Sequence, residues 1–228
     1  MKKNVYIFNC DGIVAMYDAV ELYSAITTIT GIDCDKYSLI FKDGTGKLRS
    51  RSGFVKNMEA NIRRYQSGND STLEFSALEI NDKPQDAHYL DTNRRQFGFA
   101  IQRWREHKVD VYIVLPYSLN ENQIVSVWNA LSTRYNTNYM VHYDFDANKD
   151  VEICMYGTPM VRGLEDPKEY YSESEYKIVY KLHDLRLGKT CELEDIFPIC
   201  IIKDDYRVKK SAYEHKKSID KDTDLYVM

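Results

Sequence analysis

The residues best placed to do chemistry follow an apolar run near the start of the sequence. Residues 5–14 read VYIFNCDGIV, a β-branched and aromatic stretch that ends in an acidic tight turn at Cys10, Asp11 and Gly12. This pattern is typical of a central parallel strand that is buried on both faces. Backbone amides and carboxylates then converge at the carboxyl edge of the sheet, where α/β proteins place their sites.

A second acidic pair lies near the other end of the chain. Residues 198–203 read PICIIK, which predicts a strand, and Asp204 and Asp205 follow it directly. The same two carboxylates could instead cap a helix that begins near Tyr206, since Asp is a preferred capping residue. The pattern leaves both interpretations open.

The elements between these stretches alternate in a way that favours an α/β fold. The sequence predicts helices over about 17–30, with Gly31 as a stop signal, and over about 174–187. It predicts a helix carrying Phe97, Ile101 and Trp104, and another capped by Ser118 or Asn120. Residues 109–115, VDVYIVL, read as a buried parallel strand, and YMVHYDF and VEICMYG as two further strands. We therefore predict a doubly wound, mainly parallel sheet.

The region between these elements has a different pattern. Residues 32–93 contain a predicted hairpin around DGTG, a helix and a polar stretch, so we interpret them as an α+β, cap-like insertion. Residues 1–31 and 94–228 then form the core. Within the insertion, residues 42–64 carry seven basic and two acidic residues, a local excess that suits contact with phosphates or an acidic partner. A solvated surface is the more common explanation of such an excess.

Composition excludes several classes of protein. The 228 residues carry a formal charge of −4, which argues against a surface that coats nucleic acid. Five scattered cysteines without a Cys-x-x-Cys pair indicate neither a disulfide framework nor a structural zinc site, and they fit a reducing, cytoplasmic compartment. We expect no signal peptide and no membrane span, because apolar runs are short.

Four segments together resemble the haloacid dehalogenase-like (HAD) superfamily, with phosphatase domains of polynucleotide kinase-phosphatases and small nucleotidases nearest in layout. FNCDGIV resembles its first motif, and RRQFGFAIQRWREHKVDVYIVLPYS resembles the helix and strand before its second. SEYKIVYKLHDL resembles its lysine-bearing helix, and ICIIKDDYRVKKSAY resembles its fourth motif. The resemblance spans most of the chain in the family's order.

The resemblance implies a Mg²⁺-dependent phosphotransfer site. Asn9 takes the place of the nucleophile and Asp11 that of the general acid and base. Lys177 takes the place of the phosphate-binding lysine, although a lysine on such a helix is commonly a surface residue. Asp204 and Asp205 take the place of the metal-binding acids, with Asn9 and Asp11 as further metal ligands.

Two departures indicate that this site is degenerate. Asn9 is an amide where the family mechanism needs a carboxylate, so it cannot form the covalent intermediate and it weakens a magnesium site. Leu115 occupies the place of the phosphate-binding hydroxyl, and Ser118 is the nearest hydroxyl after it.

Three hypotheses for function follow. The first is a HAD-like protein that binds a partner protein or a phosphorylated or nucleotide ligand without turnover, with local nucleic-acid contact through residues 42–64. The second is an active Mg²⁺-dependent phosphatase or nucleotidase in which Asn9 replaces the nucleophilic Asp. The third is an inhibitory or immunity-type interaction module with no active site.

Overall fold

The residues that the structure describes form a ten-stranded antiparallel sheet and a small two-stranded one. The computed structural model describes residues 2–12, 16–31, 36–41, 46–50, 75–81, 98–105, 108–146, 149, 166–187, 192–193, 196–203, 207–208 and 213–228. The strands are β1 (Lys2–Asp11), β2 (Lys36–Phe41), β3 (Gly46–Ser50), β4 (Phe75–Asn81), β5 (Gly98–Arg105), β6 (Lys108–Leu115), β7 (Asn136–Asp146), β8 (Glu192–Leu193), β9 (Ile199–Lys203), β10 (Arg207–Val208), β11 (His215–Asp220) and β12 (Thr223–Val227). The described helices are α1 (Met16–Thr30), α2 (Glu121–Ser132) and α3 (Glu173–Arg186), with a 3₁₀ turn at Pro167–Glu169.

The strand order corrects the predicted fold class. The large sheet runs β11-β12-β9-β7-β1-β6-β5-β4-β2-β3, and each neighbouring pair in it is antiparallel. Parallel pairing among the described strands is confined to the small β8·β10 sheet. The predicted α/β fold with a doubly wound, mainly parallel, Rossmann-type HAD-like sheet is therefore wrong. The protein is mainly β.

The physical reason for this error lies in what an apolar strand encodes. The three central strands β7, β1 and β6 are buried along most of their length, as their uniformly apolar sequences predict. Burial on both faces is usual for parallel strands, but it also arises when helices cover both faces of an antiparallel sheet. A uniformly apolar sequence therefore indicates that both faces of a strand are buried, but it does not indicate whether the strand pairs parallel or antiparallel.

One face of the central strands packs against α1 and α2. Phe8 of β1 and Val111 of β6 share a buried cluster with Leu22 of α1 and Trp128 of α2. Trp128 is among the largest fully buried side chains of the described residues. Large aromatic groups bury the most apolar area per residue, so this cluster anchors both helices to the sheet.

The opposite face packs against α3. Ile7 of β1, Val114 of β6 and Val141 of β7 share a second buried cluster with Val179 and Leu182 of α3. Residues alternate between the two faces along each strand, as strand geometry requires. The two faces of the central sheet thus form two separate apolar layers, one above and one below.

Several local predictions are confirmed. The helix predicted after Ser118 or Asn120 begins with Asn120 as its N-cap, whose side chain accepts from the Gln123 amide at 3.0 Å. The Gln123 side chain accepts in return from the Asn120 amide at 3.1 Å, which completes a capping box. Gly31 ends α1 with φ 72°, a left-handed conformation that favours glycine.

Two helix predictions are wrong. The helix predicted to carry Phe97, Ile101 and Trp104 is replaced over its described part, Gly98–Arg105, by β5, which pairs with β6 as a hairpin neighbour. A helix beginning near Tyr206 was one interpretation of the chain after Lys203, but the described part of this chain forms the strands β10, β11 and β12. The predicted strand VEICMYG lies outside the described residues. Short apolar runs fit both the helical and the strand periodicity, and pairing with neighbouring strands determines which structure forms.

The predicted hairpin in residues 32–93 is confirmed, since β2 and β3 pair antiparallel. The strands of this region continue the large sheet, because β4 pairs with β5 as well as with β2. The division into a core of residues 1–31 and 94–228 and an insertion of residues 32–93 stays a prediction. No helix among the described residues is long and apolar enough to cross a membrane.

The strand at one end of the sheet, β11, is highly exposed and charged. Lys216 binds Asp224 at 2.7 Å and Lys217 lies 3.7 Å from Glu121. The pairing register with β12 shifts between Ser218 and Asp220, which marks a β-bulge. Lysines and bulges on an end strand both hinder the addition of another strand.

We expect Trp128→Ala to lower the free energy of unfolding by about 3–5 kcal/mol, because it leaves a cavity in the layer between α2 and the sheet. Chemical denaturation of the purified variants measures this change. Asn129→Ala, at an exposed position of the same helix, serves as the control and should change stability by about 0.5 kcal/mol or less. Equal effects at both positions would contradict the packing described for α2.

Candidate functional site

A row of polar side chains crosses three strands on the face that packs against α3. Asn138 of β7 donates to Oδ1 of Asn9 at 3.0 Å, and Asn9 Nδ2 donates to Oδ1 of Asp110 at 2.6 Å. Tyr112 donates its hydroxyl hydrogen to the other oxygen of Asp110 at 3.1 Å. We call these four residues, Asn138, Asn9, Asp110 and Tyr112, the polar row.

The polar row is assembled by a β-bulge. The register between β1 and β7 shifts between Asn9 and Cys10, so that Asn9 lies opposite Tyr139 and Cys10 lies opposite Thr137. The extra residue is Asn138, which this shift allows to turn toward Asn9. On the other face Cys10 Sγ lies 3.8 Å from Thr137 Oγ1. The bulge therefore adds a polar partner to Asn9 without breaking the apolar layer beneath.

The carboxylate of Asp110 is a buried member of the row. Its residue is 1% exposed, and a buried ionised group is tolerated only when hydrogen bonds replace its hydration. Asn9 and Tyr112 supply one donor to each of its oxygens. Asn9 is thus a donor to a carboxylate, a role that aspartate in its ionised form cannot fill.

A more exposed pair follows at the end of the same strands. Lys108 of β6 forms an ion pair with Asp11 of β1, and the two side chains are 47% and 34% exposed. On the neighbouring strands Lys203 donates to Asn136 at 2.7 Å. The sheet end beyond the polar row therefore carries two lysines, each bound to an oxygen acceptor.

The structure places Ser118 and Lys177 differently from Asn9 and Asp11, with which the HAD resemblance grouped them. Asn9 and Asp11 share one end of β1, whereas Ser118 donates to Asn4 at 2.8 Å near the other end. Five residues of strand correspond to about 17 Å. Lys177 is 63% exposed and pairs with Glu173 on the solvent side of α3.

The remaining predicted site residues are not tested by the structure. Asp204 and Asp205 lie outside the described residues, although the end of β9 at Lys203 is beside Asn136. Leu115, at the predicted hydroxyl position, is fully buried in the apolar layer under α2. The site roles proposed for Asn9, Asp11, Lys177 and Ser118 stay predictions, and the geometry of the described residues gives them no common pocket.

The donor set around Asn9 does not fit a magnesium ion in the described part of the chain. The Asn9 oxygen already accepts from Asn138, and the Asp11 carboxylate is bound by Lys108. Magnesium requires several oxygen ligands in octahedral geometry. No group of three or more His, Cys, Asp or Glu residues suited to a metal occurs among the described residues. We therefore derive no chemical step that involves magnesium.

Sequence reasoning missed the importance of Asp110. The residue sits inside VDVYIVL, and a single acid within an apolar strand is the signal that could have identified it. A charged residue at a buried strand position needs a partner on the same face of a neighbouring strand. Asn9, directly opposite in the antiparallel register, is that partner.

Comparison with known proteins places the fold but not the function. No family model and no curated protein matches the chain. Among solved structures, the Pseudomonas aeruginosa T6SS protein PA0821 is similar, with a TM-score of 0.55 and 8% sequence identity. The match covers 100% of this chain and 65% of that chain, so the present chain spans about two thirds of the solved protein. At this identity the likeness shows a shared fold.

This likeness and the antiparallel sheet overturn the HAD resemblance. The four segments occur in the family's order, but β1 and β6, which carry its first two motifs, run in opposite directions. Their ends therefore cannot meet at one sheet edge as the family's site requires. The description of the chain as HAD-like, phosphatase-like and Rossmann-like is wrong.

We expect Asn9→Asp to destabilise the protein at neutral pH by about 2–4 kcal/mol. The change removes a donor to Asp110 and places two carboxylates in contact, so that one of them must take up a proton. Stability of the variant should rise as the pH falls toward 5, where that proton binds more readily. Denaturation at several pH values measures this.

The matched control is the double variant Asn9→Asp with Asp110→Asn, which restores one carboxylate and one amide in reversed positions. It should recover most of the lost stability at pH 7. A single variant as stable as the unchanged protein would contradict the role of Asn9 as a donor to Asp110.

Proposed function

We propose that the chain is a protein-interaction module of an inhibitory or immunity type. The similar solved structure is a T6SS protein, which supports a role in protein interaction. Two of the residues predicted to be catalytic, Asn9 and Asp11, are bound to the neighbouring side chains of Asp110 and Lys108 within the sheet. A protein that acts by binding needs an exposed surface rather than a reactive constellation.

The observation that carries this proposal is a partly apolar stripe on the solvent side of α3. Tyr180 and Leu187 are 43% and 39% exposed, unusual for large hydrophobic residues, and they lie two helical turns apart on one side. Tyr176, one turn before Tyr180, is partly buried against the apolar layer and extends the stripe toward the start of the helix. We call these three residues the α3 stripe. It is about 16 Å long at 1.5 Å per residue.

The tyrosines of the α3 stripe are held in place before any partner binds. The rings of Tyr176 and Tyr180 lie 4.4 Å apart, and the Lys168 ammonium is 5.6 Å from the Tyr176 ring. A hydrogen bond to Tyr180 raises the pKa of Tyr176 to about 12, so Tyr176 keeps its proton at neutral pH. Ordered aromatic side chains lose little conformational freedom on binding, and tyrosine is enriched at interfaces and their hot spots.

The opposite side of α3 packs against the sheet, so the helix stays in place although the α3 stripe is partly exposed. Val179 and Leu182 anchor α3 to the sheet, and a capping box at Ser172 and Glu175 fixes its first turn. The Lys149 ammonium binds Glu175 at 2.9 Å. The helix is thus a rigid support for the exposed residues on its other side.

The test begins with proteins that the immobilised chain retains from cells of its source. Each is identified, purified and titrated against the chain by calorimetry, and the partner's own activity is measured with and without one equivalent of chain. We expect the chain to lower that activity, and Tyr180→Ala to weaken binding about 30-fold, the loss typical of a 2 kcal/mol hot spot.

Tyr117→Ala is the matched control, because Tyr117 is a tyrosine of similar exposure, 41%, on the loop before α2. It should bind the partner as the unchanged chain does. A partner whose activity is unaffected by saturating chain would contradict the inhibitory role. Mg²⁺-dependent hydrolysis of p-nitrophenyl phosphate by the chain, lost in Asp11→Ala, would point to an enzyme instead.

A further inference from the structure

A second polar cluster lies at the opposite end of β1, on the face that packs against α1 and α2. Asn4 Oδ1 accepts from Ser118 Oγ at 2.8 Å and lies 3.1 Å from His142 Nε2. The ring of His142 stacks on Tyr6 with centroids 4.5 Å apart. The Tyr6 hydroxyl oxygen accepts from the Leu119 amide at 2.7 Å. These contacts tie the loop between β6 and α2 to the central strands.

The imidazole of His142 is held in its neutral form. The residue is 7% exposed, and within the described residues its Nδ1 has no hydrogen-bond partner. Nε2 must carry the hydrogen, because it faces an oxygen of Asn4 that only accepts. A second proton would have to enter at Nδ1, where no described acceptor receives it. Burial lowers the pKa of His142 from 6.5 to about 4.

The groups that face this ring do little to favour its charge. Asp144, on the same strand, raises the pKa of His142, but its carboxylate is bound by Lys2 at 3.0 Å. Across β9 the residue opposite is the apolar Ile199. Burial raises the pKa of Tyr6 to about 12, so its hydroxyl stays neutral. Asn4 and the loop contribute only uncharged groups.

The loop that the cluster holds also links two helices. Tyr117 donates its hydroxyl hydrogen to the Thr30 carbonyl at 2.6 Å, and Gln123 at the start of α2 donates to the Ile29 carbonyl at 3.1 Å. Opening the loop at Ser118 and Leu119 would therefore loosen the contact between the end of α1 and the start of α2.

We propose that Asn4, Tyr6, His142 and Ser118 form an acid-sensitive latch that holds the loop between β6 and α2 closed while His142 is neutral. When the loop opens, water reaches His142, and the imidazole binds a proton more readily than it does in the closed state. Acid therefore favours the open state by mass action. The latch concerns a part of the molecule separate from the α3 stripe.

The sign and size of the effect follow from linkage. His142 in the open state takes up a proton near its ordinary pKa of 6.5, whereas in the closed state it does so only near 4. Stability of the closed loop is thus constant above about pH 7 and falls as the pH decreases from 6.5 to 4. The 2.5-unit difference corresponds to an increase of up to ~300-fold in the open population.

Hydrogen exchange of the Leu119 amide tests the latch, because its hydrogen bond to Tyr6 breaks when the loop opens. Protection factors, corrected for the intrinsic pH dependence of exchange, are measured by NMR between pH 7.5 and 4.5. We expect the Leu119 protection to fall by about 100-fold over this range. It should also stay below that of the Val111 amide in the sheet core, which shows that the loop opens locally.

Two variants separate the latch from other effects of acid. His142→Gln keeps a donor for Asn4 but does not titrate, so Leu119 protection should lose its pH dependence. Ser118→Ala, at an exposed position, should lower Leu119 protection at every pH and leave the pH dependence in place. A pH-independent Leu119 amide in the unchanged chain, or a pH dependence retained in His142→Gln, would overturn the proposal.

Discussion

The covering of β7, β1 and β6 by helices on both faces is the constraint on which the rest of the structure depends. Alternate residues of each strand enter one of two apolar layers, under α1 and α2 or under α3. A polar side chain in these strands is then forced to find partners within the sheet. The polar row around Asp110 and the cluster around His142 are the two results, one on each face.

The sequence predicts the elements of this protein better than their arrangement. Periodicity and capping residues located α2 and α3, and the apolar run of β6 was identified as a buried strand. Whether a strand is parallel or antiparallel depends on which strands pair, often over a long distance in the sequence. An apolar run contains no local signal for that pairing. Trp104 lies in β5 for the same reason, since its periodicity is shared by helix and strand.

The HAD resemblance failed because chemistry was inferred from the order of motifs. An Asn-x-Asp-Gly turn matches a phosphotransfer motif in letters, but the partner of Asn9 is decided by the strand opposite. In the antiparallel register that partner is Asp110, and the Asn9 amide donates a hydrogen bond to this buried carboxylate. Only the pairing of β1 with β6 could have shown this.

The charged, bulged edge strand β11 limits how another chain can bind to this sheet. An edge strand with unpaired backbone N–H and C=O groups can pair with a strand of another chain. This backbone pairing depends little on the identity of the side chains. Lys216, Lys217 and the bulge before Asp220 obstruct that route at this end. Strand addition at this edge is therefore hindered, which discourages open-ended stacking of copies into fibres.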